Sequence, residues 1–413
     1  CSITYFGGII LLAIPKEAEE IISQLEGYGF EAYLVGGCVR DLLMGLTAKD
    51  FDICTSALPE DVIRLFTTTY KTGLKHGTVT VIKNGIPFEV STFRIDMKYT
   101  DHRRPDKVLF TPSLTEDLKR RDFTINAICY HPKKGIIDPF NGIKDITGRL
   151  IRTVGNPEER FGEDALRMLR AVRFKASLGF EIEPATKNAV CRMAGTICHI
   201  SRERILYELN GILSGISPEA FEVLFDTGII NYIFPVPVPL KYTFKPLKSL
   251  PGKLSLRWAA AVRLMGFTDT NEVKEICNYL KMSKKLKDYI LNVTDILKKP
   301  LPENKFVLKK ALSDTGIALF SDSLEILRAL GSDTNKAKAV KMMINDIYSN
   351  NECVSRSALA VKGRDLIEKG FVPGKQLGEI IELLFLCVLQ IPELNHKDTL
   401  IEIAENIQKA FSA

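Results

Sequence analysis

The apolar positions change rhythm along the chain. Between residue 16 and about residue 150, helical spacing and strict alternation take turns; beyond about 150 the alternating stretches fade. Lys16 to Tyr28 has helical periodicity and runs into Gly27 and Gly29. Glu31 to Val35 is a short apolar run that reads as a strand, and Val39 to Met44 reads as a helix entered through Gly36 and Gly37. Phe51 to Cys54 is a second strand, and Leu58 to Phe66 a helix with Pro59 at its start. Gly77 to Lys83 and Pro87 to Phe93 alternate apolar and polar residues on either side of Asn84-Gly85, which predicts a tight hairpin. This first part is therefore a small mixed α/β domain with at least one antiparallel pair.

The rest reads as helices joined by short loops. Asp164 to Ser177 stops near Gly179, Pro184 to Met193 carries Pro184 in its first turn, and Ser201 is a suitable N-cap for Arg202 to Leu213. Leu377 to Leu389 is another helix, and Pro235 to Pro239 and Pro300 to Pro302 read as joints. The fold class expected is α+β: a mixed sheet with helices, followed by helical domains.

Composition narrows the class only modestly. The 413 residues suggest two to four domains, and 46% hydrophobic with 26% charged residues is ordinary for a globular protein. A net charge of +6 suits a phosphate-bearing partner without requiring one. Nine scattered cysteines without CxxC pairs read as buried thiols of a reducing, cytoplasmic protein. Cys191, Cys198 and His199 have the wrong spacing for zinc and no evident fourth ligand. No apolar run reaches the ~18–20 residues of a membrane span. Ile9 to Ile14 is short and lacks a preceding basic region, so it is a poor signal peptide.

The chemistry concentrates in a few strings. Lys49-Asp50-Phe51-Asp52-Ile53 puts two carboxylates two residues apart on an expected strand, so that Asp50 and Asp52 share one face while Phe51 and Ile53 enter the core. Neighbouring carboxylates repel unless a cation sits between them, and a pair of magnesium ions would meet that need. The bland alternative is a surface strand with two solvated acids. Glu89, on a neighbouring strand, is a candidate third acid or an ordinary exposed residue. Upstream, Leu34-Val35-Gly36-Gly37-Cys38-Val39-Arg40-Asp41 is a strand, a Gly-Gly turn and a helix start. Gly37 would let backbone approach a triphosphate, Arg40 could contact phosphate, and Asp41 could brace it or cap the helix.

Two basic strings complete the set. Within Lys119 to Asn126, Arg121 is a candidate triphosphate ligand, and Asn126 could bind phosphate or ribose or support a turn. Asp164, Arg167, Arg170 and Arg173 fall at steps of three, expected on one helix face. An Asp–Arg pair there could be a plain intrahelical salt bridge. It could also read a base: the carboxylate accepts from an exocyclic amine while the guanidinium donates to the adjoining acceptor. Cytosine and adenine present that pattern; uracil and guanine do not.

Together these residues resemble the class II tRNA nucleotidyltransferase and poly(A) polymerase family. The matching strings are LVGGCVRDLLMG, KDFDICTSALPEDV, EVSTFR, RRDFTINAI, DPFNGIKDITGRLIRTVGNPEERFGEDALRMLRAVRF and ISRERI, in the family's order across about residues 33 to 205. Within it the likeness is to compact bacterial members that add CCA, and the tail string KGRDLIEKGFVPGKQLGEIIELLFLCVLQIPEL extends it, with Lys375-Gln376 where Pro is more usual. The resemblance implies a polymerase-β-type nucleotidyltransferase head over residues 16–149, then a helical neck at 150–215, body at 216–330 and tail at 331–413. It assigns Asp50 and Asp52 to magnesium, and Gly37, Arg40 and Arg121 to the nucleoside triphosphate. Asp164 and Arg167 are assigned to base selection, with Arg170 and Arg173 as further nucleotide contacts. Met97 to Phe110 looks like the family's flexible loop, and Asp138 to Ile143 like its head–neck hinge. No His-Asp phosphohydrolase pattern is present.

The expected activity is sequential addition of C, C and A to tRNA 3′ ends from CTP and ATP. The expected partners are tRNA, CTP and ATP, with no membrane and no obligate protein partner. Lys241, Lys245, Lys248, Lys253, Lys281, Lys284, Lys285 and Lys287 are candidate RNA phosphate contacts or ordinary solvent-facing lysines. Addition of A alone, poly(A) synthesis and non-catalytic RNA binding stay open as rival readings.

Overall fold

The computed structural model describes residues 3–6, 9–97, 107–238, 243–332 and 334–412. They form two compact units, one of residues 1–248 with 279–281 and the other of residues 249–278 with 282–413.

The first unit opens with an antiparallel strand pair, β1 (Ile3–Phe6) and β2 (Ile9–Leu12), within a stretch read above only for a leader sequence. Then follow α1 (Lys16–Gly27), β3 (Ala32–Val35), α2 (Gly37–Leu43), β4 (Asp52–Thr55), α3 (Pro59–Leu65), β5 (Thr69–Gly73), β6 (Thr78–Lys83) and β7 (Ile86–Thr92). A two-stranded antiparallel arm, β8 (Arg94–Met97) and β9 (Lys107–Phe110), precedes α4 (Leu114–Lys119), β10 (Cys129–His131), β11 (Gly135–Ile137) and α5 (Gly142–Thr147). The main sheet has seven strands in the order β11-β10-β3-β4-β7-β6-β5. All neighbours are antiparallel except β4 and β7, which run parallel.

The strand period sorts side chains between two cores. Ala32, Leu34 and Ile53 pack with Ile21, Ile22, Leu25, Val39 and Val62 from the helices. Tyr33, Val35 and Cys54 pack on the other face with Phe93, Leu118 and Cys129. Both faces of the central strands are thus covered, which suits their near-continuous apolar character. The expected hairpin is β6–β7, with Lys83 opposite Ile86 and both Asn84 and Gly85 at positive φ, as a two-residue primed turn requires.

Beyond the sheet come β12 (Leu150–Ile151), α6 (Pro157–Glu163), α7 (Leu166–Leu178), β13 (Glu181–Ile182), α8 (Pro184–Met193), α9 (Arg202–Ser214), α10 (Val223–Asp226) and α11 (Ile230–Ile233). This part is helical apart from a two-residue parallel pairing of β12 with β13. Phe123 and Ile125 pack against Ala171, Phe174 and Leu178 of α7, so apolar contact joins the start of this helical part to the segment that follows α4.

The second unit is helical: α12 (Leu254–Leu264), α13 (Thr270–Tyr279), α14 (Lys284–Lys298), α15 (Lys305–Thr315), α16 (Ile317–Ala329), α17 (Thr334–Ser349), α18 (Gly363–Glu368), α19 (Lys375–Gln390) and α20 (Lys397–Ser412). Its largest buried side chain is Trp258 of α12, and the last three helices share a core built on Leu366, Leu384 and Leu400. Among the described residues no helix is long and apolar enough to cross a membrane.

Gly142, in the first unit, is packed directly against backbone. A Cβ on Gly142 would lie 2.3 Å from the Thr124 carbonyl oxygen and 2.7 Å from Ile128 Cγ1, while Asp138 accepts the Gly142 and Ile143 amides at 2.7 and 2.9 Å. Gly142→Ala is expected to destabilise the first unit by about 2–3 kcal/mol through overpacking against fixed backbone. Denaturant unfolding of the variant against the parent measures it, and an unchanged midpoint would contradict the close packing.

Candidate active site

Strands β4 and β7 bring two acids together. Asp52 opens β4 and is the register partner of Glu89 on β7. Asp50 does not share the strand with Asp52: it lies on the bend just before β4 and is exposed. The period-two argument therefore holds for Asp52, Phe51 and Ile53, but Asp50 reaches the same neighbourhood from a turn. Phe51 packs partly into the first core and Ile53 fully.

Burial and the nearby Glu89 push the Asp52 carboxyl up to about 6, with Asp50 adding to the repulsion and Arg121 opposing it. Asp52 and Glu89 line a cleft of about 180 Å³ together with Thr78, Ser91, Arg94, Arg120 and Arg121. Among the described residues no three His, Cys, Asp or Glu side chains gather closely enough to cage a metal unaided. The raised Asp52 carboxyl is the sign of an acidic donor set that a cation would relieve.

Arg121 approaches the site because Gly36 lets it. Gly36 has φ +84°, and a Cβ there would sit 3.2 Å from an Arg121 Nη atom. Nη2 of Arg121 donates to Asp117 at 3.3 Å, whereas its Nε is buried without a partner. Burial works against this guanidinium's charge, and Asp117 more than restores it. Arg120 also pairs with Asp117, at 2.8 Å, and with Asp96, at 3.5 Å.

Gly37 starts α2, and Arg40, on the same helix, is buried. Asp41 braces it at 2.7 and 2.9 Å, so the bracing alternative is the one realised. Nη1 of Arg40 donates to Asn126 Oδ1 at 2.6 Å, and Asn126 Nδ2 donates to Asp122 at 3.1 Å. Asn126 is thus a link within the protein. Asp122 in turn receives Arg170 at 2.6 and 2.8 Å. Burial would raise the Asp122 carboxyl, but Arg170, Asn126 and Arg167 hold it far below the usual carboxylate range. Asp117 and Asp122 escaped the sequence reading, although both flank the quoted Arg120-Arg121 pair; a buried arginine asks for such a partner.

The helix-face expectation for residues 164–173 is corrected. Asp164 is not in α7: it lies between α6 and α7 with an extended backbone, φ −140° and ψ 102°. Its Oδ1 accepts the Leu166 amide at 3.0 Å and its Oδ2 accepts Arg204 Nη2 at 2.7 Å. The energetic reason is that satisfying an orphan helix-start N–H contributes about 1 kcal/mol, against a few tenths for an intrahelical Asp–Arg pair. Arg167 pairs with Glu163 instead, at 2.5 Å, and donates to the Arg120 carbonyl at 2.9 Å. Arg173 pairs with buried Glu208 at 2.5 Å. The guanidiniums of Arg40, Arg170 and Arg173 lie 5.3, 5.4 and 4.4 Å from the Phe174 ring centroid.

Cys191 and Cys198 are exposed, not buried; Cys38, Cys54, Cys129, Cys277 and Cys353 are buried thiols. Of the lysines, Lys248 pairs with Glu219 at 3.3 Å, Lys253 with Asp322, and Lys281 with Glu203 at 2.5 Å. Lys284 and Lys285 are exposed at the start of α14. Lys241 lies outside the described residues, as does most of the Met97–Phe110 loop; its stem is the β8–β9 arm.

Known proteins place this architecture among the nucleotidyltransferases. The Poly A polymerase head domain model matches residues 32–152, an RNA and SrmB-binding site of polymerase A matches 179–238, and tRNA nucleotidyltransferase domain 2 matches 253–404. A CCA-adding enzyme of Geobacillus kaustophilus is 39% identical over 93% of this chain and 95% of its own length. One from Lacticaseibacillus paracasei is 38% identical over 89% and 90%. The crystal structure of the Bacillus stearothermophilus CCA-adding enzyme in complex with CTP superposes with a TM-score of 0.78 at 33% identity, covering 96% of this chain and 98% of that one. The chain belongs to the CCA-adding enzyme family. With that family comes dependence on a divalent metal.

Proposed function

We propose that this enzyme adds C, C and A in turn to the 3′ end of tRNA, taking the nucleotides from CTP and ATP and releasing pyrophosphate. The observation that carries the site assignment is the cleft in which Asp52 and Glu89 meet Arg121 beside the Gly36 turn. Acids that gather cations and a guanidinium with an unpartnered N–H are what a metal-bound triphosphate needs.

In this reading Asp50 and Asp52 hold magnesium, with Glu89 as the adjoining acid. Bound there, a pair of magnesium ions supplies activation of the attacking hydroxyl and charge neutralisation on the leaving pyrophosphate. Gly37, Arg40 and Arg121 hold the triphosphate. The tRNA 3′ hydroxyl attacks the α-phosphorus in line, so positioning and charge stabilisation carry the rate. Asp164 accepts the exocyclic amine of cytosine or adenine, and Arg167 donates to the neighbouring ring acceptor. Arg170 and Arg173 contribute nucleotide contacts through N–H groups that Asp122 and Glu208 do not occupy. Residues 16–149 form the catalytic head and 150–215 the base-selecting neck, with a body at 216–330 and a tRNA-binding tail at 331–413. The enzyme works in the cytoplasm.

The test is an extension assay with a tRNA that ends before CCA. CTP alone is expected to add two C residues, CTP with ATP to complete CCA, and UTP or GTP to add nothing. Extension by ATP only on a primer already ending in CC would replace this reading with A addition alone.

A further inference from the structure

Base selection needs a carboxylate that stays where the incoming base expects it. Asp164 stands between α6 and α7, and its side chain has two rotatable bonds to be confined. The nearest arginine in sequence, Arg167, is already taken by Glu163 and by the Arg120 carbonyl. The restraint comes from far along the chain, in the first turn of α9, where Arg204 donates through Nη2 to Asp164 Oδ2 at 2.7 Å. Leu166 N holds the other oxygen at 3.0 Å. Among the described residues Arg204 is the one side chain hydrogen-bonded to Asp164.

We propose that Arg204 is a specificity-positioning residue: by clamping one oxygen of Asp164 from α9, it fixes the orientation in which that carboxylate meets the base. The inference rests on the assignment of Asp164 to base selection. An ionised carboxylate offers about four lone-pair positions. Arg204 and Leu166 occupy one on each oxygen, which pins both rotatable bonds and leaves acceptor capacity for an exocyclic amine. A wrong base puts a carbonyl oxygen against the same atoms. A fixed carboxylate cannot turn away from that oxygen, so the mismatch keeps its full cost; a swinging one relaxes and lets uracil in. Selectivity of this kind depends on groups held to about half an ångström, and a misplacement of about 1 Å can cost ~100-fold.

The test compares Arg204→Ala, Arg204→Lys and Asp164→Ala in the full chain, reading kcat/KM for CTP and for UTP on the same tRNA primer. The ratio of the two is taken within one preparation, so it is insensitive to how much of a variant is folded. Arg204→Ala is expected to lower the CTP/UTP ratio by about tenfold, in keeping with a modest displacement of the carboxylate. Arg204→Lys, which retains a cation, is expected to recover most of it. A parental ratio in Arg204→Ala beside a collapsed ratio in Asp164→Ala overturns the role of Arg204 and leaves the base assignment standing. Equal collapse in the alanine and lysine variants also overturns the clamp. A parental ratio in Asp164→Ala removes the base assignment and the clamp with it.

Discussion

Asp52→Ala is expected to lower the rate of nucleotide addition by at least about 10³-fold, roughly 4 kcal/mol of transition-state stabilisation, while tRNA binding stays near the parental level. The folded protein should tolerate the change well. With its carboxyl raised to about 6 by burial and by Glu89, Asp52 costs stability when ionised. The sign follows from linkage: a group whose folded pKa lies above its ordinary value contributes stability at low pH that is lost as pH rises through the folded value. In metal-free protein that loss falls between about pH 4 and pH 6, with the full cost present at neutral pH. Asp52→Ala should therefore melt no lower than the parent at pH 7.5 without metal. Turnover and thermal unfolding read the two halves of the expectation. Undiminished activity would refute the metal assignment, and a large drop in melting temperature would refute the claim that the site stores repulsion.

Asp164→Ala is expected to relax the choice of base. Losing a hydrogen bond to a charged acceptor costs about 1.5–3 kcal/mol, which is roughly 10- to 100-fold in kcat/KM for CTP and ATP. UTP and GTP gain from the same change, because no carboxylate then opposes their carbonyls. Kinetics with each of the four triphosphates supply the measurement; unchanged discrimination against UTP would rule out a base-reading role.

The sequence was most informative where structure is local. Asn84-Gly85 announces its hairpin because only a primed two-residue turn matches the twist of the flanking strands. The Gly36-Gly37 turn, the acid at Asp52 and the register neighbour Glu89 were likewise visible, since strand alternation and glycine punctuation are short-range signals. Partners distant in sequence were not. Asp164 looked like the first residue of an arginine-bearing helix, yet it pairs with Arg204, forty positions away. Arg173 finds Glu208 and Arg170 finds Asp122 by tertiary packing alone. Short strands escaped for a related reason. β10 and β11 have three residues each, too few for a period to register, and the five residues of β5 are mostly exposed, so no apolar alternation marks them. Asp50 illustrates the limit of pattern reading: two positions before a strand residue, it lies just outside the strand, and alternation no longer governs it.

The run from Arg40 through Asn126 and Asp122 to Arg170 has a consequence for how the enzyme meets its surroundings. Arg40, Asn126 and Asp122 are shielded from solvent, while Arg170 at the end of the run is partly exposed. Dissolved counterions screen exposed charges over roughly 10 Å at 0.1 M salt, but cannot enter a packed interior. Rising ionic strength should thus weaken the field of exposed lysines such as Lys284 and Lys285 long before it disturbs the buried part of this run. The buried links through Arg40, Asn126 and Asp122 are thus insulated from the medium, and the exposed lysines of α14 answer to it.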